Sequence, residues 1–565
     1  MPKDNTTHSS EAARQPDGTQ TGGEAPGKKK PGKKAPGKKA LGTKRQRHGI
    51  VTGLLSAGVL LAGGAGVVSA AAVLPGPAGS RTLEAALSDV PAGRSTMVCP
   101  GPAVLPEGTV GTDAQFSPVS RTAKNNLDAL VLSDSTGALP GSKVAALDGS
   151  GARTVSEAPK GTPAPAPGPP ALKAAAVAQS AGRITVLNAE PSGNQQAAMA
   201  AVGSYSAADG DLRGLAAAPC QQPSNDFWLL GADTTLGRTA LLNLSNASGT
   251  PATVNLELLG AKGRIQSPGS RGLLVSPHTS RTINLAGLAS DEENLSLHVR
   301  SSGGPVAATV QQSVLRGLVS GGVEHLAPGA APADSQVMTA VVVQDPKTIK
   351  ALSSKSGFSD AVPALEITVP GAADAVLDVK LFGPNGQQAL PGGGAVTAKA
   401  GAVTEIPLTG VPAGTYTVSA TSDVPFAAAA RLLGNPRESA PMDFAWSPAA
   451  VRLGSQHIVA VPQDGVRFLT FGVPDGRATV SYTPVTADGK LGKTESVDIA
   501  GGTTTVIGVP AKDKGPAVIG YVVAASGDPA YGAVLLGEKD GPGISTVAIQ
   551  QGAPGHEKVA VTLGY

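Results

Sequence analysis

A pattern of short alternating stretches, repeated three times, most constrains how this chain can fold. One copy reads "TPATVNLELLGAKG", the second "AADAVLDVKLFGPNG" and the third "DGRATVSYTPVTADG". Apolar and polar residues alternate with a period of two, which puts one face of a strand on a core and the other face in water. Turn signals such as "GPNG" and "ADGK" separate the stretches at hairpin distances. The pattern predicts antiparallel β-sheet.

A proline marks the same place in every copy. Pro305, Pro425 and Pro529 follow small-residue turns and precede apolar stretches, at spacings of 120 and 104 residues. Proline suits the first residue or the edge of a strand, because it has no N–H to donate to a neighbouring strand. Short strands at this spacing favour β-sandwiches in series. The sequence therefore predicts an all-β fold of tandem immunoglobulin-like antiparallel sandwiches.

Composition agrees with many strands joined by turns. Glycine (74) and proline (47) together make about a fifth of the 565 residues, and aromatic residues make only 3%. This content is high for a helical enzyme, yet it is too low to indicate that the whole chain is disordered.

The start of the chain carries the excess of positive charge. Residues 1–48 hold 12 Lys/Arg and 4 Asp/Glu, whereas the 24 residues 50–73 carry no charge at all. A helix of that length, at about 1.5 Å per residue, crosses a hydrocarbon core of roughly 30 Å. Flanking Lys and Arg keep their end of such a helix in the cytoplasm. We predict a disordered cytoplasmic tail, which can contact anionic lipid headgroups, and a spanning signal anchor.

Two other interpretations compete with a retained anchor. A nucleic-acid-binding arm would carry similar charge, but the apolar neighbour favours a membrane, and we expect no nucleic-acid partner. A cleaved secretory signal is the second alternative, because residues 69–73 offer an A-x-A-like site. The apolar run is longer than the usual ~7–15-residue core of a signal peptide, which favours the anchor. Both versions place the bulk of the chain outside the cytoplasm, either anchored or secreted.

Two cysteines, Cys99 and Cys220, lie beyond the apolar run. In an oxidising compartment an isolated pair most economically forms one disulfide; a redox-active or metal-binding pair is the alternative. The cysteines bracket strand-like runs, "NLDALVLSD" and "RITVLNAE", and a Pro/Ala-rich stretch at 156–176 that should be extended and mobile. We predict a disulfide-closed β-domain with an insertion, preceded by a helical turn around 81–90.

These observations predict seven segments along the chain. They are a cytoplasmic tail (1–49), a transmembrane helix (50–73), a linker (74–93), the disulfide-closed β-domain (94–225, with the insertion 156–176) and three β-sandwich repeats (226–330, 331–440 and 441–565).

Two tryptophans stand out in a chain so poor in aromatic residues. Trp228 and Trp446 each lie just before a predicted repeat, in "NDFWLLGA" and "MDFAWSPA". We expect them to pack a module edge or a junction between modules. The alternative is a ligand-binding platform, for which both are weak candidates.

Motifs for catalysis and for cofactors are not visible. The seven histidines form no H-E-x-x-H and no i, i+4 pair, and no G-x-S-x-G occurs. The segment "TADGKLGKT" lacks the first glycine of a phosphate-binding loop and is typical of a hairpin turn. The acidic run "SDEEN" is more typical of a solvated surface than of a calcium site. We expect no enzyme, no cofactor and no metal site.

Two segments carry a resemblance beyond these patterns, "GRSTMVCPGP" and "CQQPSNDFWLLGADTTLGRTALLNLSNAS". Over about residues 94–565 the chain resembles an uncharacterised family of secreted or membrane-anchored actinobacterial proteins, a domain of unknown function. The resemblance implies location and architecture and brings no established activity or catalytic residue. The basic tail and the Pro-rich insertion depart from the simplest form of the family pattern.

Three functions remain open. The first is a non-catalytic, single-pass membrane-anchored extracytoplasmic protein of the bacterial cell envelope, whose stacked β-modules serve an unknown envelope protein as a scaffold. The second is binding of cell-wall polysaccharide, or an accessory role in envelope glycan assembly. The third is an enzyme with an unrecognised site. The anchor, the repeats and the absence of catalytic motifs favour the first.

Overall fold

The described part of the chain is built almost entirely from antiparallel β-strands, which confirms the predicted all-β class. The structure is a computed structural model that describes residues 86–89, 92–106, 118–159, 171–192, 195–434, 436–437, 440–511, 515–551 and 558–561.

The chain divides into two compact parts, Met1–Glu84 and Ala85–Tyr565. The first part lies outside the described residues, and with it the predicted tail (1–49) and membrane span (50–73). Within the part of the chain that the structure describes, no helix is both long and apolar enough to cross a membrane.

The first of four two-sheet units contains the disulfide. Its sheets have the strand orders β2-β7-β4-β5 and β6-β3-β8-β9, and Cys99 and Cys220 form the predicted disulfide between residues 121 apart in the chain. The strands are β2 (Ser95–Val98), β3 (Lys124–Leu132), β4 (Ser142–Ala146), β5 (Arg153–Ser156), β6 (Ala174–Ser180), β7 (Thr185–Ala189), β8 (Met199–Ala207) and β9 (Gly214–Pro219).

The second unit follows directly. Its sheets are β10-β16-β12-β13, with β14 also on β12, and β15-β11-β17-β18. Two short 3-10 helices, Pro268–Ser270 and Leu285–Gly287, lie in its loops. The strands are β10 (Asp226–Ala232), β11 (Arg238–Asn246), β12 (Ala252–Gly260), β13 (Gly263–Ile265), β14 (Leu273–Val275), β15 (Thr279–Asn284), β16 (Leu295–Gly303), β17 (Ala307–Arg316) and β18 (Val319–Leu326).

The third unit is distinguished by one long strand, β25, that belongs to two sheets. Its first half pairs with β19 and β21, and its second half pairs with β20 and β26. The elements are β19 (Ala333–Val343), helix α1 (Pro346–Ser353), β20 (Ala364–Thr368), β21 (Ala375–Gly383), β22 (Gly386–Gln388), β23 (Ala395–Ala398), β24 (Val403–Pro407), β25 (Gly414–Gly434) and β26 (Asp443–Pro448).

The fourth unit has the sheets β27-β32-β29-β30 and β31-β28-β33-β34. Its strands are β27 (His457–Ala460), β28 (Val466–Val473), β29 (Arg477–Thr486), β30 (Glu495–Ala500), β31 (Thr503–Gly508), β32 (Val518–Gly527), β33 (Tyr531–Gly537) and β34 (Ile544–Ala548). A separate two-stranded sheet joins β1 (Ala86–Asp89) to β35 (Lys558–Val561), so the two ends of this part of the chain pair with each other.

All four units share one strand order, including the first, which the sequence pattern did not mark as a repeat. The first and fourth units match strand for strand, and the second and third differ only by short extra strands and by the continuity of β25. In the immunoglobulin order the first strand lies beside the second and the seventh beside the sixth. Here the first strand lies beside the sixth, and the seventh lies beside the second. The antiparallel β class was predicted correctly, but the immunoglobulin-like strand order was wrong.

The three aligned prolines mark the point where the chain passes from one sheet to the other. Pro305 lies between β16 and β17, and Pro529 lies between β32 and β33. Pro425 lies inside β25, between Thr421, which pairs with β19, and Ala427, which pairs with β20. Proline suits this position because a strand that leaves one sheet gives up its ladder hydrogen bonds there.

Three predicted boundaries change in the structure. The second repeat does not end at 440, because β26 pairs with β25 and belongs to the third unit. The segment around 81–90 contains the strand β1 where a helical turn was predicted. Of the insertion 156–176, residues 160–170 lie outside the described residues, while its last three residues begin β6 and pair with β3.

The units close into a ring through shared hydrophobic cores. One core joins the second and third units, another the third and fourth, and another the first and fourth. The first and second units meet where Val323 packs among Tyr205, Leu212 and Ala216. Because each unit contacts the next and the fourth contacts the first, the ring has no free end.

The ring has two different ends. The last strands of the units, β9, β18, β26 and β34, run side by side in one direction. The carboxylate of Asp443, the first residue of β26, accepts the N–H groups of Leu215 and Ile544. These two residues lie at the starts of β9 and β34, so the strands begin at the same end of the ring. The hairpins that precede these strands therefore gather at one end, which we call the hairpin end. The last strands β9, β18 and β26 each lead to the first strand of the next unit, so the links between units lie at the opposite end.

The disulfide offers a direct test of what holds the first unit together. We expect Cys99→Ser to lower the free energy of unfolding by about 4–5 kcal/mol under oxidising conditions, because the bond closes a loop of more than 100 residues. Thermal melting of the oxidised proteins measures the difference. Reduced wild type should melt with the variant, and identical melting of oxidised wild type and variant would refute the expectation.

Candidate functional site

The carboxylate of Asp443 stands where the four last strands meet. Its Oδ2 accepts the backbone N–H of Leu215, 2.8 Å away, and of Ile544, 3.1 Å away. Its Oδ1 accepts those of Val323, at 3.1 Å, and Phe444, at 3.0 Å. Asp443 is fully buried. One side chain of the third unit thus binds the backbones of all four units.

A second carboxylate lies one step further along the same strands. Glu324 accepts the backbone N–H of His325 at 2.8 Å and of Ala217 at 3.3 Å. The hydroxyl of Ser545 lies 2.9 Å from its Oε2 and 3.0 Å from its Oε1. Burial raises the pKa of both Glu324 and Asp443 well above the ordinary values, and the charge of Asp443 raises that of Glu324 further.

Gly322 shows how closely the strands approach at this point. A Cβ at this residue would collide with Oδ1 of Asp443, and its φ of +115° lies in the region that favours glycine. Any side chain here would displace the carboxylate from the N–H groups it binds, so the ring closure depends on glycine at this position.

A cleft opens at the hairpin end between the second and third units. We call it the arginine cleft; it has a volume of about 650 Å³. Its lining includes Leu236, Arg238, Arg316, Ser356, Phe358 and Met442. A volume of this size is within the range of ligand-binding sites in proteins.

One buried carboxylate fixes both arginines of this cleft. Asp360 Oδ1 lies 2.8 Å from Nη2 of Arg238, and Oδ2 lies 2.6 Å from Nη2 of Arg316. Arg316 also donates from Nε to the Gly357 carbonyl at 3.1 Å, and its guanidinium lies 5.1 Å from the ring centroid of Phe358. Each arginine side chain is only 10% exposed. The two cations are therefore held in one geometry.

Two acids behind the arginines have pKa values shifted in opposite directions. Burial opposes the charge of Asp360, but the neighbouring Arg316 and Arg238 outweigh it, so the pKa of Asp360 lies below its ordinary value. Asp233, whose Oδ2 lies 3.6 Å from Nε of Arg238, has its pKa raised to about 6 by burial. Asp360 therefore stays ionised and keeps the arginines in place.

The rim of the arginine cleft carries two exposed leucines. Leu236, in the loop between β10 and β11, is 94% exposed, and Leu318, at the tip of the β17–β18 hairpin, is 75% exposed. Exposed apolar side chains that flank a cleft are typical of an interaction site, whereas single scattered ones need no explanation.

A second cleft occupies the equivalent place between the fourth and first units. It measures about 620 Å³, and its charged lining consists of Arg121, Lys124, Asp464 and Glu538. We call it the mixed-charge cleft. Both clefts are formed by a loop between the first two strands of a unit and by the hairpin before its last strand, but only the arginine cleft has an aromatic residue and a methionine in its lining.

Another buried acid, Glu366, lies at the junction of the second and third units, away from both clefts. Glu366 accepts hydrogen bonds from the Ser296 hydroxyl at 2.8 Å and from the Gly231 N–H at 3.2 Å. Its pKa is raised to about 7, mainly by complete burial.

Both tryptophans singled out in the sequence are buried. Trp228 is 5% exposed and stacks on His298, with 4.2 Å between ring centroids. Trp446 is 7% exposed and packs so closely on Gly231 of the second unit that a Cβ there would lie 2.6 Å from its ring. Trp446 thus fills a junction between units. Neither ring is available as an exposed platform for a saccharide.

The sequence did not indicate the acids at the centre of the ring, Asp443 and Glu324, or the residues of the arginine cleft. Among the described residues, no group of three or more His, Cys, Asp or Glu side chains could hold a metal ion. The acids that matter, Asp443 and Glu324, bind backbone N–H groups. Their only signal in the sequence is an acid inside an apolar run, in "PMDFAW" and "GGVEHLA".

A family of unknown function, DUF5719, matches residues 175–510. The chain belongs to the DUF5719 family. The match runs from β6 of the first unit to the end of β31 in the fourth, which confirms the predicted resemblance to an uncharacterised family. No curated protein and no solved structure matches this DUF5719 chain.

Replacing Asp443 tests whether its carboxylate holds the ring together. In Asp443→Asn an amide NH₂ would face two of the four N–H donors, leaving buried groups unpaired at a cost of about 3 kcal/mol or more. We expect a large loss of stability by urea denaturation. Asp423→Asn, at an exposed position in β25, is the matched control and should unfold like wild type. Equal stability of the two variants would contradict the assignment.

Glu366 should make the stability depend on pH. Its folded pKa of about 7 lies above the ordinary value of 4.5, so the unfolded chain releases this proton first as pH rises. Stability should therefore fall between about pH 4.5 and 7, by about 3 kcal/mol for a group shifted this far. Chemical denaturation across this range measures the slope.

Two variants separate Glu366 from the other acids. Glu366→Gln cannot ionise, so the part of the slope that comes from this residue should disappear. Glu157→Gln, at an exposed position, should keep the full slope. A slope unchanged in Glu366→Gln would show that this carboxyl is not the group responsible.

Proposed function

We propose that this chain is a non-catalytic, single-pass membrane-anchored extracytoplasmic protein of the bacterial cell envelope. Its four two-sheet units would act as one rigid scaffold that presents the hairpin end to another envelope protein. The observation that carries this proposal is the construction of the ring, in which the links between units lie at one end and an open cleft with exposed leucines lies at the other.

Rigidity supports the scaffold role. Buried carboxylates join the four units at their centre, and hydrophobic cores continue from one unit into the next. A partner that binds loops at the hairpin end therefore binds preorganised loops, which lowers the entropy cost of association. The loops themselves carry the variable chemistry, as is usual for binding sites on rigid β-scaffolds.

The anchored location is supported by the sequence. Residues 50–73 carry no charge, and a basic tail precedes them. We propose that this run spans the membrane with the tail on the cytoplasmic side, where it contacts anionic lipid headgroups. The alternative is secretion after cleavage near residues 70–72.

The glycan-binding alternative has less support. Binding of a cell-wall polysaccharide usually relies on exposed aromatic rings, and Trp228 and Trp446 are both buried. No other feature of the described residues favours it over a protein partner.

Photo-crosslinking in intact cells tests the scaffold role. A photoreactive amino acid at Leu318, on the hairpin end, should yield one discrete crosslinked species with the full-length chain. The same amino acid at Leu274, which is 56% exposed in β14, is the matched control and should yield none. Absence of any discrete product at Leu318, or equal products at both positions, would contradict binding at the hairpin end.

The anchor is tested separately by membrane extraction. Full-length chain should remain in the membrane after alkaline carbonate treatment, and a variant lacking 50–73 should not. The mass of the mature protein decides about cleavage, since a protein that begins after residue 72 would show that the run is a removed signal.

A further inference from the structure

We propose that the arginine cleft takes a segment of the partner protein that carries apolar side chains next to a carboxylate. This inference rests on the proposed function, since it names the chemistry of the partner that the hairpin end would bind.

The charge of the lining points to an acidic occupant. The residues that line the arginine cleft include Arg238 and Arg316 and no acid, whereas the mixed-charge cleft combines two cations with Asp464 and Glu538. The acids that balance the arginines, Asp360 and Asp233, lie behind them and do not line the cleft. An occupant therefore meets two guanidinium groups and no carboxylate.

The arginines are held in advance of binding. Asp360 bridges their two Nη2 atoms, and Arg238 donates from Nη1 to the Leu236 carbonyl at 3.0 Å. A guanidinium that is already ordered loses little side-chain entropy when a carboxylate approaches, and a partly desolvated cation attracts it more strongly than one in open water.

The apolar part of the occupant follows from the rim. Leu236 and Leu318 are exposed at the rim, and Phe358 and Met442 continue the apolar surface inside the cleft. A free small anion that fits a volume of about 650 Å³ would leave Leu318 uncovered. A protein segment, in contrast, can place its carboxylate near the arginines and cover both leucines. Covering an exposed leucine strengthens binding by roughly tenfold or more.

Selection from a random peptide library tests the inference without knowledge of the natural partner. The full-length chain is the bait, and the probe is a library of random dodecapeptides displayed on phage. We expect enriched peptides to combine apolar residues with Asp or Glu. The affinity of a consensus peptide is then measured by fluorescence anisotropy, beside a form in which each acid is replaced by Lys, which should bind at least tenfold more weakly.

Variants at exposed positions show whether the peptide occupies this cleft. Ser356 lines the cleft and is exposed, so Ser356→Glu adds a negative charge without disturbing the core. It should weaken the acidic peptide by about tenfold through like-charge repulsion, while Ser356→Gln should not. Leu318→Ser should weaken it by a similar factor, and Leu274→Ser, on the other sheet of the same unit, should have no effect.

The outcomes separate this inference from the proposed function. No enrichment, enrichment of basic peptides, or binding that is equal in Ser356→Glu and Ser356→Gln would overturn it. If the crosslink at Leu318 persists in any of those cases, the hairpin end binds a partner of different chemistry and the proposed function stands. If the crosslink is also absent, both fail.

Discussion

The carboxylate of Asp443 accepts backbone N–H groups from four units that lie far apart in the chain, and each other feature of the ring is arranged around this contact. A buried carboxylate has lost the water molecules that would solvate it, and the four N–H donors compensate for that loss. In return it satisfies donors at the edges of four sheets, which would otherwise be unpaired inside the ring. The hairpins that form the two clefts come directly before the strands fixed in this way. Their positions therefore depend on a residue that lies outside both clefts.

The units contribute unequally to what the ring presents. The two clefts are formed by equivalent loops and have similar volumes. The lining of one contains two arginines, an aromatic ring and no acid, whereas the lining of the other contains two cations and two acids. The difference comes from side chains in loops, which can change without affecting the strands that support them. A repeated fold with one distinct cleft is consistent with a scaffold on which one junction has become specialised.

Much of the architecture could be predicted from the sequence, because strands and turns are encoded by patterns within short stretches of the chain. Alternation with a period of two shows directly in strands such as β12, β21 and β29, and the aligned prolines report the crossing between sheets. The first unit was recognised as a β-domain but not as a fourth copy, because 25 residues separate β2 from β3 and a Pro-rich stretch separates β5 from β6. The ring and its clefts could not be predicted, since their contacts join residues with no common local pattern. In "PMDFAW" (441–446) the sequence singles out Trp446. The residue that closes the ring is Asp443.

Ring closure also bears on the order in which the chain can fold. At the centre of the ring the backbone N–H of Ala217 donates to the hydroxyl of Ser545, and the two residues are 328 positions apart in the chain. During synthesis the N-terminal part of the chain emerges first, so β9 is complete long before β34 exists. Until then β9 is an uncovered edge of its sheet. Open sheet edges pair readily with other chains, and contacts of such long separation form slowly. The first three units therefore expose a sheet edge to neighbouring chains until the fourth is complete, even though each unit has two sheets of its own.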